Sequence, residues 1–242
     1  MRSPLSLADS AYKYRNVIKY IFPKNTRQLS FVCSRDMDLE FYLSKRYQIR
    51  CSTHDYRLFD FWRTYMQDPY KVFDRAKYLC SNLDIQDYST LYSLYYQQTD
   101  EYLRAGLLIL SNRAGHRTDF FKDSLDPKNA IGVYDFLESH KHFILRDFEL
   151  EYSKPFESSN FPSFTIVDCP NLFFENKIKT AQDTSFDIND VKRFMDTQKN
   201  WCVLTNKSYQ TDKLLLKHQY YYLANDGKRS PSETNKILFY KT

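Results

Sequence analysis

Between Gln28 and Met66 the apolar residues change their period three times, and that order constrains the fold more than any other feature of the chain. Gln28 to Cys33 is a short run suited to a buried strand. From Asp38 to Lys45 the spacing turns helical, with Leu39, Tyr42 and Leu43 on one face. Tyr47 to Thr53 reads as a second strand, and Leu58 to Met66 as a helix stopped by Asp68 and Pro69. A β-α-β unit followed by a helix is the opening of a doubly wound α/β sheet, and 242 residues suit one such domain with an insert.

Ahead of this unit, residues 1–10 read as a loose leader, and Ala11 to Ile21 as a helix ended by Pro23. Beyond it the alternation stops. From Tyr70 to about Ile131 the pattern is helical and polar-aromatic, with Tyr88 to Leu110 as the longest segment and Ser111 to Asp126 as a basic, polar loop. Strands return at Phe143–Arg146, Phe164–Asp168, Trp201–Thr205 and Ile237–Tyr240, with a helix from Ile188 to Gln198 and a turn at Asp226-Gly227. The expected organisation is an α/β core formed by residues 1–66 and 141–242, interrupted by a helical insert over 67–140.

Composition narrows the function. Only 4 Gly are present, which argues against a glycine-rich nucleotide loop, where close backbone approach needs a missing side chain. The five Cys (Cys33, Cys51, Cys80, Cys169 and Cys202) are widely spaced and read as reduced thiols of an intracellular protein, in the cytoplasm, nucleus or a virion. No apolar leader and no run of about 20 apolar residues is found, so neither a secretory signal nor a membrane span is expected. A net charge of +5 fits a polyanionic partner.

The ordered motifs resemble the Dam-type DNA adenine methyltransferases. The stretch from Leu29 to Val72 is similar to that family's strand, cofactor loop, helix, and strand with an acidic end. GLLILSNRAGHRTDF is similar to its N-R-x-x-F-N-G-x-x-R region, SHKHFILRDFELE to its F-x-x-x-D-F strand, TIVDCPN to its D-P-P-Y motif, and WCVLTNKSY to its f-x-l-S-N-S segment. The resemblance implies a methyltransferase-like, Rossmann-like sheet with a target-recognition-like helical insert. It also implies S-adenosylmethionine as cofactor, and a flipped adenine whose amine is held by the motif Asp and stacked on the motif aromatic.

Residue by residue, the resemblance assigns Asp168 to the motif Asp and Pro170 to its second Pro; Asn171 stands where the aromatic should be, with Phe173 and Phe174 nearby. The cofactor loop falls on Phe31 to Asp38 and includes Cys33, but holds no glycine; Arg35, Asp36 and Met37 stand there instead. Side chains in such a loop penalise positive φ and crowd a ligand. Asp55 stands where the family holds the cofactor ribose, and reads equally as a helix N-cap. Asp168, Pro170, Asn171, Asp55, Phe31 and Cys33 are therefore expected to be vestigial, with no cofactor bound.

Arg113 and Arg117 lie where the family presents DNA contacts and, with Asn112 and Lys122 close by, are the expected nucleic-acid residues. Lys207, Lys213, Lys217, Lys228 and Arg229, interleaved with Tyr209 and Tyr220 to Tyr222, read either as a phosphate-contacting surface or as a solvated face. His140 and His142 form H-x-H without a third ligand, so no metal is expected. The 21 Tyr and 19 Phe either reflect base composition or supply an interface. The expected function is a catalytically degenerate pseudo-methyltransferase that binds DNA or joins a protein partner in a larger, viral or mobile-element, assembly. An active enzyme and a purely structural protein stand as the alternatives.

Overall fold

The computed structural model describes residues 3–5, 10–83, 88–115, 132–140, 148–154, 156, 164–169, 171–173 and 185–242. Contacts divide the chain into two units. A sheet unit comprises Ala11–Asp55 and Asp147–Thr242, and a helical unit comprises Met1–Ser10 and Tyr56–Arg146.

The sheet unit is a mixed α/β fold with flanking helices. Its strands are β1 (Gln28–Val32), β2 (Gln48–Thr53), β3 (Phe148–Tyr152), β4 (Phe164–Asp168), β5 (Asn171–Phe173), β6 (Ser185–Asp187), β7 (Trp201–Asn206), β8 (Gln219–Leu223), β9 (Arg229–Ser230) and β10 (Lys236–Lys241). Eight form one sheet in the order β3-β2-β1-β4-β7-β10-β8-β9, and β5 and β6 form a separate pair. The half from β3 to β7 is parallel, and the half from β7 to β9 is antiparallel. Strands β1, β4 and β7 are buried along almost their whole length, as parallel strands covered on both faces must be. Edge strand β3 is mostly exposed and carries Glu149 and Glu151, which pair with Arg50 on β2 at 3.4 and 3.6 Å; charge on an exposed edge discourages further strand addition.

The helices of this unit are α1 (Arg15–Tyr20), preceded by a 3-10 turn over Ala11–Tyr14, and α2 (Asp38–Leu43), the crossover from β1 to β2. Helix α8 (Ile188–Thr197) turns Ile188, Val191, Phe194 and Met195 inward, and α9 (Tyr209–Leu215) follows β7. Val191, Phe194 and Met195 join Val167, Trp201, Val203 and Phe239 in the core, where the Trp201 indole N–H donates to the Met195 carbonyl at 3.1 Å.

The helical unit contains α3 (Tyr56–Gln67), α4 (Pro69–Asn82), α5 (Tyr88–Gln97), α6 (Glu101–Ala114) and α7 (Val133–Ser139). Helix α6 is its axis. Leu107, Leu108, Ile109 and Leu110 are all buried, so no side of that stretch meets water. On α6, a Cβ at Gly106 would stand 3.0 Å from the Ala76 backbone nitrogen, so the close approach of α4 depends on that glycine. Asp60 on α3 is buried and accepts from Arg63 at 2.8 Å and from Arg104 on α6 at 2.7 Å.

Several expectations shift. Helix α3 lies with the helices, packed on α4 and α6, so the helical unit starts at Tyr56 where the insert was expected at 67. Tyr88 to Leu110 is two helices, because the Asp100 carboxylate accepts from the Tyr102 and Leu103 amides and starts α6 afresh. Ser111 to Ala114, read as loop, completes α6. Ser3 and Leu5 of the supposed leader are buried. Strand β8 was not anticipated; its Tyr-rich run pairs with β10. The strand expected at Phe143–Arg146 lies outside the described residues, and β3 follows it.

Candidate functional site

In an open parallel sheet, ligands bind beyond the carboxyl ends of the strands, where successive crossovers leave in opposite directions. Here that point lies between β1, which leads toward β2 and β3, and β4, which leads toward β7. Two segments meet there: residues 33–37, which join β1 to α2, and Asp168-Cys169 at the end of β4. Arg35 reaches across, and its guanidinium donates to Asp168 Oδ2 at 2.7 Å. The side chains are 13% and 18% exposed, so the pair is largely withdrawn from water. The other carboxylate oxygen, Asp168 Oδ1, is buried and has no hydrogen-bond partner among the described residues.

The loop keeps a glycine-like course without glycine. Cys33 and Met37 adopt φ of 66° and 55°. Such a conformation costs an ordinary residue on the order of 1 kcal/mol and persists only where the surroundings enforce it. The Ser34 amide donates to the Ser52 carbonyl at 2.9 Å, extending the β1–β2 ladder past Cys33, and the Met37 side chain is fully buried. Phe31 is buried within β1, and its carbonyl accepts from the Ser52 hydroxyl.

Behind the ion pair lies a buried acid. Glu40, in the first turn of α2, has its carboxyl pushed up to about 8 by burial. The Ser34 hydroxyl pulls the other way, while the charges of Asp36 and Asp168 add to the rise. Glu40 is thus protonated at neutral pH. Burial also pushes up the thiols of Cys33 and Cys169, with the Asp168 charge adding to each, so neither offers a thiolate nucleophile. No metal-ligating cluster occurs among the described residues.

The expected site residues distribute unevenly. Asp168 and Cys33 come together at the crevice, and Phe31 supports it from β1. Asp55 ends the sheet unit one residue before α3, half-buried, with its amide donating to the Thr53 hydroxyl. Pro170 lies outside the described residues; Asn171 opens β5. Asn112 is buried inside α6. Arg113 donates to the carbonyls of Pro4 and Ser3 at 2.8 and 3.0 Å and sits over the Phe136 ring at 3.7 Å. Arg113 thus braces residues 3 and 4 within the helical unit. Arg117, Lys122 and His142 lie outside the described residues, and His140 stacks on Phe73 at 4.9 Å. Of the C-terminal cations, Arg229 is held between Tyr20 and Tyr221, Lys207 pairs with Glu233, and Lys228 pairs with Asp226.

Arg35 is the residue that reading the sequence undervalued. It stood out only as a side chain replacing glycine, because its partner lies 133 positions away. Arg35 occupies the carboxylate that the resemblance assigns to the target adenine's amine. Met37, its side chain fully buried, stands in the loop that the resemblance assigns to S-adenosylmethionine. No known protein family model matches the chain, and no curated protein matches it either.

Proposed function

We propose that this chain is a catalytically degenerate, adenine-methyltransferase-like protein that serves as a non-catalytic accessory subunit, its ligand crevice latched by Arg35 and Asp168. The 2.7 Å ion pair across the switch point carries the reading, because it commits the one acid at the end of β4 to an internal partner. The strand order supports the methyltransferase side of the reading. The parallel half follows the doubly wound order, and β10, the last strand, inserts antiparallel between β7 and β8. Order alone speaks to fold, and the latch speaks to function.

The surface supports the accessory role. Among the described residues the exposed large hydrophobic side chains are ten Tyr and Leu216, with no Phe. Six of those Tyr (Tyr56, Tyr70, Tyr78, Tyr92, Tyr96 and Tyr134) belong to the helical unit. Tyr tolerates water in the free protein and contributes apolar area in a complex, which suits a surface that meets a partner.

Isothermal calorimetry on the full chain tests the latch. S-adenosylmethionine should produce no binding heat at micromolar concentrations. A tight complex of the unaltered protein, or methyl transfer to adenine in duplex DNA, overturns the proposal and favours an active enzyme. An Arg35→Gly variant that gains cofactor binding would identify the latch as the closing element.

A further inference from the structure

The opposite end of the sheet unit carries a site that the crevice does not explain. At the amino ends of β1 and β2, a cavity of about 140 Å³ is lined by Lys19, Tyr42, Leu43, Lys45, Arg46 and Tyr47. Lys19 comes from α1, and the others from the end of α2 and its turn into β2. None of its three cations pairs with a carboxylate among the described residues. Lys45 and Arg46 are exposed, and Lys19 is half-buried with its ammonium 5.5 Å from the Tyr42 ring centre.

Charge is concentrated here by the sequence itself. Residues 11–34 contain five Lys or Arg and no acid, and residues 41–49 contain Lys45 and Arg46 and no acid; Arg35 and Arg50 belong to the ion pairs already described. Over 11–55 the chain holds nine Lys or Arg against four Asp or Glu. That surplus of five equals the net charge of the whole protein, so the remainder is neutral. The acids that do occur (Asp36, Asp38, Glu40 and Asp55) follow β1 or β2 or open α2, at the carboxyl end of the strands. Lys24 and Arg27 extend the basic surface; both are exposed, and the Arg27 carbonyl accepts from the Gln48 amide at 3.0 Å, which places Arg27 beside Tyr47.

We propose that this amino-end face is a nucleic-acid backbone site, with Lys19, Lys45 and Arg46 gripping a phosphate group and Lys24 and Arg27 meeting its neighbours along the strand. The cavity is well below the roughly 300 Å³ at which pockets enclose a whole small ligand, yet it admits a tetrahedral anion, so the group it receives belongs to something larger. Two lysine ammonium groups act as point charges and the Arg46 guanidinium supplies a planar fork of donors, a set that suits phosphate. The rings do not offer a stacking platform. Tyr42 packs edge-on against Tyr12 and Tyr47 against Phe22, so the site contacts backbone and leaves bases unread. A membrane surface is disfavoured because Leu43, the one aliphatic lining residue, is buried. The inference is independent of the reading of the crevice and holds whether or not that crevice binds a cofactor.

Fluorescence anisotropy of a labelled duplex of arbitrary sequence, titrated with the full chain over a range of salt, provides the test. Three phosphate contacts give a slope of about −2.7 in log K against log salt, or about a fortyfold loss between roughly 50 and 200 mM. Duplexes of different sequence should bind alike. The triple variant K19Q/K45Q/R46Q should bind at least tenfold more weakly with a shallower slope, while K192Q on α8, far along the sequence, should bind like the unaltered protein. These side chains are exposed or half-buried, and an unchanged melting temperature confirms that the variants fold. Unchanged affinity in the triple variant, or absence of binding at low salt, overturns the proposal. Binding of inorganic phosphate or of phosphatidylserine vesicles without nucleic acid overturns it as well, in favour of a free anion or a lipid headgroup.

Discussion

At the scale of single residues, the loop after β1 shows backbone conformation outlasting the residue type that makes it easy. Cys33 and Met37 hold positive φ where glycine would do so without penalty, and the surrounding packing supplies the constraint. The same packing isolates Glu40. Its folded carboxyl holds a proton up to about pH 8, while an unfolded chain releases it near 4.5. In that window the folded state binds more protons than the unfolded state, so stability falls as pH rises from about 4.5 to about 8 and then levels off. Glu40→Gln should remove this dependence and be more stable than the unaltered protein at the alkaline end, by a few kcal/mol. Urea unfolding of both proteins at the two ends of the window measures it. Parallel pH profiles would show that Glu40 is not the group that titrates.

At the scale of elements, helix boundaries follow local chemistry and helix contacts follow volume. Asp100 divides a continuous helical pattern because its carboxylate satisfies two amides that would otherwise lack partners at the start of α6. Gly106 decides how closely α4 approaches. Replacing glycine in a helix normally gains up to about 1 kcal/mol. Here the added atoms meet the Ala76 backbone at 3.0 Å, which cannot swing aside as a flexible side chain would. Gly106→Val should therefore cost about 2 kcal/mol, read as a lowered denaturant midpoint with an unchanged slope. Equal or greater stability would mean that α4 and α6 separate without penalty. The turn at Gly227 is the counterpart in the sheet unit, with φ of 84° and a would-be Cβ that meets the Lys13 carbonyl oxygen.

At the scale of the whole molecule, the helical unit does topological work for the sheet. Strands β2 and β3 are parallel, with Ile49 opposite Phe148 and Thr53 opposite Tyr152, so the chain must return from the carboxyl end of one to the amino end of the other. A parallel crossover needs about a dozen residues, usually helical. Replacing 57–145 with a flexible linker of about 15 residues should leave the sheet unit able to fold, whereas a linker of about three should not. Circular dichroism and cooperative thermal melting distinguish the two. Failure of the longer version would show that the sheet unit depends on the helical unit for more than its connection.

The sequence by itself determined what local periodicity encodes. Strands β1, β2, β4, β7 and β10, helices α2, α3 and α8, and the turn at Asp226-Gly227 all fall where apolar spacing and turn residues place them, because each depends on neighbours a few positions away. The position of Asp168 at the end of a central strand was legible for the same reason. Tertiary structure decided the rest. Arg35 meets Asp168 across 133 positions, and Arg113 pins Ser3 and Pro4 across more than 100, turning an expected leader into core. Tyr220 to Tyr222 became a strand only because β10 lies alongside. A charge in a sequence has no partner until the fold supplies one. At the crevice and in the helical unit the fold paired the cations with internal groups, and at the amino ends of β1 and β2 it gathered three cations around a cavity and paired none of them with a carboxylate among the described residues.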